Sequence, residues 1–313
     1  MTSQPDNDAD ETGGLSFRHW LEDKVAAALL TGLRPLPYRW RIAAMGWLGA
    51  YVLGPLAGMP ARVRANLALI RPDLRPDQVR ALCRKVPANM AKAMAETFSG
   101  QVFIDHVRAS STISGPGLAA LDQARDAGRP VVLVTAHFGN YDAARILLAD
   151  RGYQIAGVYM PMRNSAFNER YVAAMSRIAE PVFPRDRAGL AGLLRFLRKG
   201  GMIGLVADHY MAHGELIDFM GQPARTALSA AEMALKYDAL LVPVYAIRNP
   251  DGLSFRVEVQ APLPHSDAVT MTRALNESLE ALVRDHMDQW MWTHRRWKNN
   301  RPAPARKQRV SAE

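Results

Sequence analysis

The chain of 313 residues is 49% hydrophobic and carries a formal net charge of +9 at pH 7. This composition supports a large buried core and excludes a disordered protein, while the single cysteine, Cys83, excludes an intramolecular disulfide or a thiolate metal cluster. The positive charge indicates an anionic partner, such as a membrane surface, a phosphorylated lipid or an acidic protein. Nucleic acid is not expected, because no recognition helix, zinc finger or aromatic ribonucleoprotein motif accompanies the basic residues.

The first third of the chain predicts a disordered start followed by membrane-associating helices. Residues 1–14 are polar and acidic, which indicates disorder and not a signal peptide. In the helical region over 15–110, the stretch 42–58 is uncharged and is at the lower length limit for crossing a bilayer. A helix in the membrane interface is therefore favoured over a spanning one, with a packed core helix as the open alternative. Three aromatic residues would lie at headgroup level: Trp40, Trp47 and Tyr51.

The rest of the chain predicts an α/β fold. Residues 67–98 have helical spacing interrupted by Pro72, Pro76 and Pro87, which predicts short helices. Beyond residue 111, predicted helices alternate with predicted strands: helices over 118–127, 141–150, 167–179, 188–199, 227–237 and 269–291, and strands over 131–135, 154–159, 202–207, 240–247 and 254–259. The alternation indicates a largely parallel central sheet flanked by helices, in a domain over 111–302 followed by a basic tail over 303–313.

The run His-Phe-Gly-Asn-Tyr-Asp follows the apolar strand over 131–135. Five residues turn about 500° on a continuous α-helix, so His137 and Asp142 could not meet on one regular helix. A turn at Gly139 would let His137 end the strand and place Asp142 in the first turn of the next helix. An ionised carboxylate there would orient the imidazole and leave its other nitrogen free to deprotonate a hydroxyl. Simple capping of a strand and of a helix is the alternative for this pair.

The chain resembles the bacterial lipid A late acyltransferases, within the wider lysophospholipid and glycerolipid acyltransferases, over roughly residues 36–302. The motifs that carry the resemblance follow in order: RVRANL at 62–67, HFGNYD at 137–142, VYMPMRN at 158–164, GLVAD at 204–208, FMGQPART at 219–226 and WMWTHRRWK at 290–298. The resemblance implies a glycerolipid acyltransferase-like fold. It also implies transfer of a fatty acyl group from acyl carrier protein to a hydroxyl of a lipid A precursor, at the cytoplasmic face of the bacterial inner membrane.

By the same resemblance, His137 is the general base and Asp142 its orienting partner, without an acyl-enzyme. No cofactor or metal is implied beyond the carrier of the acyl donor, which is acyl carrier protein or CoA. The tetrahedral oxyanion needs a donor, and the candidates are backbone N–H groups around Gly139 and Asn140 or a nearby cation.

Three further charged residues are candidates for substrate binding. Arg163 follows a strand end and would grip a phosphate or carboxylate. Asp208 follows another strand, so it would reach the same sheet edge, either in a salt bridge with Arg163 or in contact with substrate. Arg225, in a predicted loop over 219–226, would bind an anion at the start of the next helix or cap that helix.

Other polar and aromatic clusters leave more than one interpretation open. His209, His213 and Glu215 imitate a metal-ligand spacing, but Gly214 would break a helix there and no metal is expected. The basic stretch 294–309 is interpreted as a membrane anchor, a solvated tail or a docking surface for acyl carrier protein. The anchor would use three nearby tryptophans: Trp290, Trp292 and Trp297.

Two departures from the family pattern leave the acceptor open. Asp142 and Tyr141 stand where lipid A enzymes commonly have Glu and Trp. The same chemistry on another membrane glycolipid or lysolipid, such as a phosphatidylinositol mannoside, is therefore the nearest alternative. A non-catalytic membrane lipid-binding protein is the alternative of a different class.

Overall fold

A computed structural model describes residues 32–33, 35–162 and 164–298 of the chain. The predictions for residues 1–14 and for the tail over 303–313 lie outside the described residues. Within the described part of the chain, four helices with defined bounds precede the main sheet: α1 (Tyr38–Leu48, continued by a π-helical turn over Gly49–Leu53 and a short turn over Gly54–Leu56), α2 (Met59–Ile70), α3 (Pro76–Ser99) and α4 (Gln101–Ser110).

Helix α1 packs on α3 through its glycines and through Ile42 and Met45, and it leaves other large residues on the surface. A Cβ added at Gly49 or Gly54 would press on Pro87 of α3, so the close approach of the two helices requires glycine. On the opposite side four large side chains are 53–82% exposed, and we call them the aromatic face: Trp40, Trp47, Tyr51 and Leu56. Among the described residues no single helix is long and apolar enough to span a membrane, and only α1 with α2, bent by 86°, meet that criterion as a pair.

The remaining chain alternates strands and helices. The strands are β1 (Thr112–Ser114), β2 (Val131–Thr135), β3 (Ile155–Tyr159), β4 (Val182–Pro184), β5 (Met202–Val206), β6 (Glu215–Phe219), β7 (Gln222–Thr226), β8 (Leu240–Arg248) and β9 (Phe255–Val259). The helices are α5 (Leu118–Asp126), α6 (Tyr141–Asp150), α7 (Ser165–Ile178), α8 (Arg187–Arg198), α9 (Ser229–Lys236) and α10 (Ala268–Asp285), followed by a 3-10 turn over Met287–Gln289.

Seven strands form the main sheet in the order β1-β9-β8-β2-β5-β3-β4, and β6 pairs with β7 in a separate hairpin. Every neighbouring pair of the main sheet is parallel except β8 with β9. Helix α6 covers one face of the sheet, and helices α8 and α9 cover the other face. A separate buried apolar cluster fills the space on each face. The predicted α/β fold with a largely parallel, helix-flanked sheet is confirmed.

Several local predictions were wrong for physical reasons. Pro87 does not end a helix, and α3 continues through it. The helix is buried between α1 and α2, and this packing outweighs the one backbone hydrogen bond that proline removes. The segment 219–226 is not a loop but part of the β6–β7 hairpin, which turns at Met220 and Gly221, both with positive φ. The short strands β1 and β4, of three residues each, were not predicted.

Candidate functional site

His137 and Asp208 meet because they occupy equivalent positions beyond two paired parallel strands. Thr135 at the end of β2 lies in register with Val206 at the end of β5. Each polar residue follows two positions later, so both reach the same sheet edge side by side. Their side chains form a hydrogen bond of 2.8 Å between His137 Nδ1 and Asp208 Oδ1.

Asp208 accepts three hydrogen bonds in a buried position. Its Oδ2 accepts from the backbone N–H of His137 at 3.1 Å and from the indole N–H of Trp290 at 2.9 Å. Burial alone would raise the pKa of Asp208, but the charge and hydrogen bond of His137, with His209 and Trp290, outweigh it and hold the pKa well below its usual value. Asp208 is therefore an anion that only accepts hydrogen bonds.

This pairing determines which nitrogen of His137 is free. An ionised carboxylate cannot donate, so the proton of neutral His137 lies on Nδ1 and the lone pair lies on Nε2. The His137 side chain is 29% exposed, whereas that of Asp208 is 2% exposed. The arrangement is thus a surface-accessible imidazole base that is oriented from behind by a buried carboxylate.

Asp142 does not contact His137, which corrects the predicted hydrogen bond between them. Its two carboxylate oxygens accept from Arg145 of the same helix and from Thr97 of α3, each at 2.9 Å. The glycine turn itself is present, since Gly139 has a φ of 56° and an added Cβ would collide with the Ala246 carbonyl. The turn carries Asp142 into the helix layer, where it is 2% exposed.

Gly139 and Asn140 also make different contacts from those predicted. The N–H of Gly139 donates to the Gln289 carbonyl at 3.0 Å, and that of Asn140 donates to the Ala246 carbonyl at 3.3 Å. Neither amide is available to an oxyanion. The Asn140 side chain caps α6 by accepting from Asp142 N at 3.0 Å, and it donates to Glu96 at 2.8 Å. The next amide, that of Tyr141, donates to none of the described residues.

Three imidazole rings stack in a row that begins at the base. His137 and His209 are nearly parallel, with ring centroids 4.0 Å apart and 7° between planes, and His209 stacks on His294 at 4.1 Å and 13°. Burial, with the neighbouring charge of His137, lowers the pKa of His209 to about 4, and burial likewise lowers the pKa of His294. His209 and His294 are therefore neutral near pH 7.

The stacked rings also bear on metal binding. Ligand atoms of His137, Asp208 and His209 lie within 4.8 Å of one another. However, the lone pairs of an imidazole lie in its ring plane, so two parallel stacked rings do not aim at one tetrahedral centre. His213, which belonged to the metal-like spacing in the sequence, is exposed and lies outside this group. The donor set does not fit a metal ion in this arrangement.

The other candidate residues, predicted to bind substrate, differ in where the structure places them. Arg163 lies outside the described residues. Asp208 accepts hydrogen bonds from His137 and Trp290, and its predicted contact with Arg163 or with substrate stays a prediction. Arg225 does not lie at a helix start, because α9 begins at Ser229; it donates to the Gly214 carbonyl beside the hairpin at 3.0 Å. Its role in substrate binding stays a prediction.

The C-terminal tryptophans are not available to a membrane. Trp290, Trp292 and Trp297 are 0–2% exposed and share a core with α2 and α3. An anchor built on these tryptophans, one of the three interpretations of this stretch, is therefore wrong, while the solvated tail and the docking surface stay predictions. Two of the indole N–H groups of these tryptophans stabilise the site and its neighbourhood. That of Trp290 donates to Asp208, and that of Trp297 donates to the Phe219 carbonyl at 3.1 Å.

A mostly apolar cavity of about 60 Å³ lies directly below the base, between the sheet and helices α6 and α7. Its upper end is lined by Thr135, Tyr141 and Val206, which are close in sequence to His137 and Asp208. The site therefore combines a base at the surface with an apolar space beneath it. This combination suits a reaction between a polar nucleophile and a lipid-like donor.

Sequence reasoning missed the His137–Asp208 pair although the signal was present. Both residues stand two positions beyond the observed ends of β2 and β5, and these strands were predicted almost to the residue, over 131–135 and 202–207. The missing information was that β2 and β5 are neighbours in the sheet, which periodicity alone does not give.

Comparison with known proteins agrees with the resemblance seen in the sequence. The family model of bacterial lipid A biosynthesis acyltransferases matches residues 14–299. The chain is 24% identical to the lipid A biosynthesis myristoyltransferase of Escherichia coli over 92% of this chain and 90% of that protein. It is 24% identical to a lipid A biosynthesis acyltransferase of Haemophilus influenzae over 82% and 81% of the two chains. It is also 26% identical to the phosphatidylinositol mannoside acyltransferase of Mycolicibacterium smegmatis, over 77% and 80%. The chain therefore belongs to the bacterial lipid A biosynthesis acyltransferase family, and it is an acyltransferase.

Proposed function

We propose that this protein transfers a fatty acyl group from acyl carrier protein to a hydroxyl of a lipid A precursor, with His137 as general base and Asp208 as its orienting partner. The observation that carries the mechanism is the 2.8 Å hydrogen bond between His137 Nδ1 and the ionised Asp208. It leaves Nε2 as a proton acceptor on the exposed side of the ring. Family membership supports lipid A as the acceptor.

The reaction needs no covalent enzyme intermediate. His137 Nε2 takes the proton of the acceptor hydroxyl as its oxygen attacks the thioester carbonyl carbon, which gives a tetrahedral oxyanion. When that intermediate collapses, the carbon–sulfur bond breaks and the imidazolium returns its proton to the leaving thiolate. Asp208 stabilises the imidazolium through this cycle. The amide of Tyr141, at the first position of α6, is our candidate donor to the oxyanion.

The aromatic face of α1 supports the proposal that the enzyme associates with a membrane. A helix that turns its glycines toward the protein and its tryptophans outward resembles an interfacial anchor more than a core helix. The net charge of +9 adds attraction to anionic lipid and to an acidic carrier protein. We therefore place the enzyme at the cytoplasmic face of the inner membrane.

A second acceptor class has support of its own. The phosphatidylinositol mannoside acyltransferase of Mycolicibacterium smegmatis is as similar to this chain as the lipid A enzymes are. A phosphorylated glycolipid of that kind presents a sugar hydroxyl that the same base would activate. Donor and acceptor are thus the variables that an assay has to separate.

The test is a matrix of two donors and two acceptors with purified protein. Acyl carrier protein thioesters and acyl-CoA are offered with a phosphorylated glucosamine disaccharide lipid or with phosphatidylinositol mannoside, and products are weighed by mass spectrometry. We expect acylation of the disaccharide from the carrier protein, and loss of it in His137→Ala with the fold retained. Transfer only to the mannoside would overturn the lipid A assignment, and full activity of His137→Ala would overturn the mechanism.

A further inference from the structure

Two glycines stand side by side on the sheet face that forms one wall of the cavity. The pairing of β3 with β5 ends at Ala156 with Ile203, and Gly157 and Gly204 are the next residues along the two strands. Both line the cavity, together with Leu133, Ile155, Leu148 and Met175. Glycine in the interior of a strand weakens the strand, so a pair of them at one place calls for a reason.

The fold does not supply that reason at Gly204. Neither glycine has a positive φ, so the backbone does not require them. A Cβ added at Gly204 would meet its nearest atoms, on Ile155 and Ala156, at 3.6 and 3.7 Å, which are ordinary contacts. At Gly157 a Cβ would come within 3.2 Å of the Arg145 guanidinium, which is fixed by Asp142 and the Ala179 carbonyl. Arg145 therefore bounds the cavity beside Gly157, whereas the absence of a side chain at Gly204 leaves space that a larger residue would fill.

The lining and the position of this cavity suit the binding of a hydrocarbon chain. Apart from the end of Arg145, the lining at depth is aliphatic, and the upper end reaches Thr135, two residues before the base. An acyl chain whose thioester carbon lies at His137 would extend into this space. The cavity volume of about 60 Å³ is less than half that of engineered cavities of about 150 Å³ that bind benzene, so it takes only a few methylenes of a chain, and small changes of the wall alter what fits.

We infer that the Gly157–Gly204 pair opens a pocket for the hydrocarbon tail of the acyl donor and sets the length of chain that the enzyme accepts. This inference rests on the proposed acyl transfer. Because Arg145 closes the wall at Gly157, Gly204 is the position at which the accepted length is adjustable. Side-chain carbons added there occupy the volume of donor methylenes.

The test compares Gly204→Ala and Gly204→Val with wild type across carrier thioesters of increasing saturated chain length. Each excluded methylene should lower kcat/KM by about fourfold, the value of one buried CH₂. We expect the preferred chain to become shorter, with the longest accepted donor losing about fourfold in Gly204→Ala and several tens of fold in Gly204→Val. Rates with short donors should stay near those of wild type.

Ala156→Val is the matched control, since Ala156 neighbours Gly157 but faces the opposite, α8 side of the sheet. It should lower stability by overpacking and leave the chain-length profile unchanged. If wild type transfers acyl groups and Gly204→Val keeps its profile, the pocket assignment is wrong while the transferase stands. If wild type transfers no acyl group, the proposed function fails, and calorimetric binding of decanoic acid decides the pocket separately. Equal binding by wild type and Gly204→Val would then reject it.

Discussion

Replacing Asp208 by asparagine separates the role of this residue from that of Asp142. Oδ2 of Asp208 accepts two N–H groups, from His137 and Trp290, whereas Oδ1 accepts one. An asparagine satisfies more donors when its single oxygen takes the place of Oδ2. Its amide N–H then faces His137 Nδ1 across 2.8 Å. His137 has to accept there, so its proton moves to Nε2 and the free lone pair is lost.

The expected loss of activity follows from this tautomer. A general base contributes about 10² to 10⁴ in rate, and a histidine held in the wrong tautomer loses nearly all of that, so we expect kcat to fall by about 10³ or more. Stability should change by less than about 2 kcal/mol, because two of the three hydrogen bonds persist. Initial rates of acyl transfer measure the first effect, urea denaturation measures the second, and ¹⁵N chemical shifts of His137 report the tautomer directly. A variant with kcat within a few fold of wild type and Nδ1 still protonated would refute this reasoning.

Three further outcomes are expected. Asp142→Asn removes the charge that compensates buried Arg145, so the free energy of unfolding in urea should fall by about 3 kcal/mol; loss of kcat in a fully stable variant would instead make Asp142 catalytic. Because the folded-state pKa of His209 is about 4, the unfolded chain binds more protons below its ordinary pKa of 6.5, and stability should decline by about 1–2 kcal/mol as pH falls from 6.5 toward 4. His209→Phe should flatten this dependence of stability on pH, although His294 still titrates and the charges on His137, Asp208 and Arg296 remain. An unchanged dependence would count against a neutral His209. Trp47→Glu should weaken flotation with anionic liposomes roughly tenfold and leave transfer to detergent-solubilised acceptor unchanged, whereas equal flotation would remove the aromatic face from membrane binding.

The alternation of strands and helices is readable because short apolar runs, such as those of β2, β3 and β5, stand between segments with helical spacing. Helix α6 and strand β2 were predicted with the boundaries that the structure shows. The two short edge strands and the β6–β7 hairpin are not predicted. Strands of three residues are too short to show a period, and Pro223 argues against a strand at β7. Local patterns thus carried the element types but not the edges of the sheet.

The site was predicted only in part for a related reason. Sequence proximity suggests that His137 uses the carboxylate five residues away, whereas in the structure it pairs with Asp208, which lies 71 residues further on, beyond the end of β5. Asp142 is engaged by Thr97, which a local reading does not reach. Strand order is a long-range property, and it decides which carboxylate reaches the imidazole.

The contacts of α3 connect the protein surface to its chemistry. One side of this helix packs beneath the glycines of α1, and its C-terminal end holds the turn after His137, through hydrogen bonds of Glu96 with Asn140 and of Thr97 with Asp142. Glu96 is itself fixed by a buried ion pair with Arg248 at the end of β8. Helix α3 therefore contacts both the helix that carries the aromatic face and the turn that follows His137. One continuous helix thus joins the outer surface of the protein to the turn beside the candidate base.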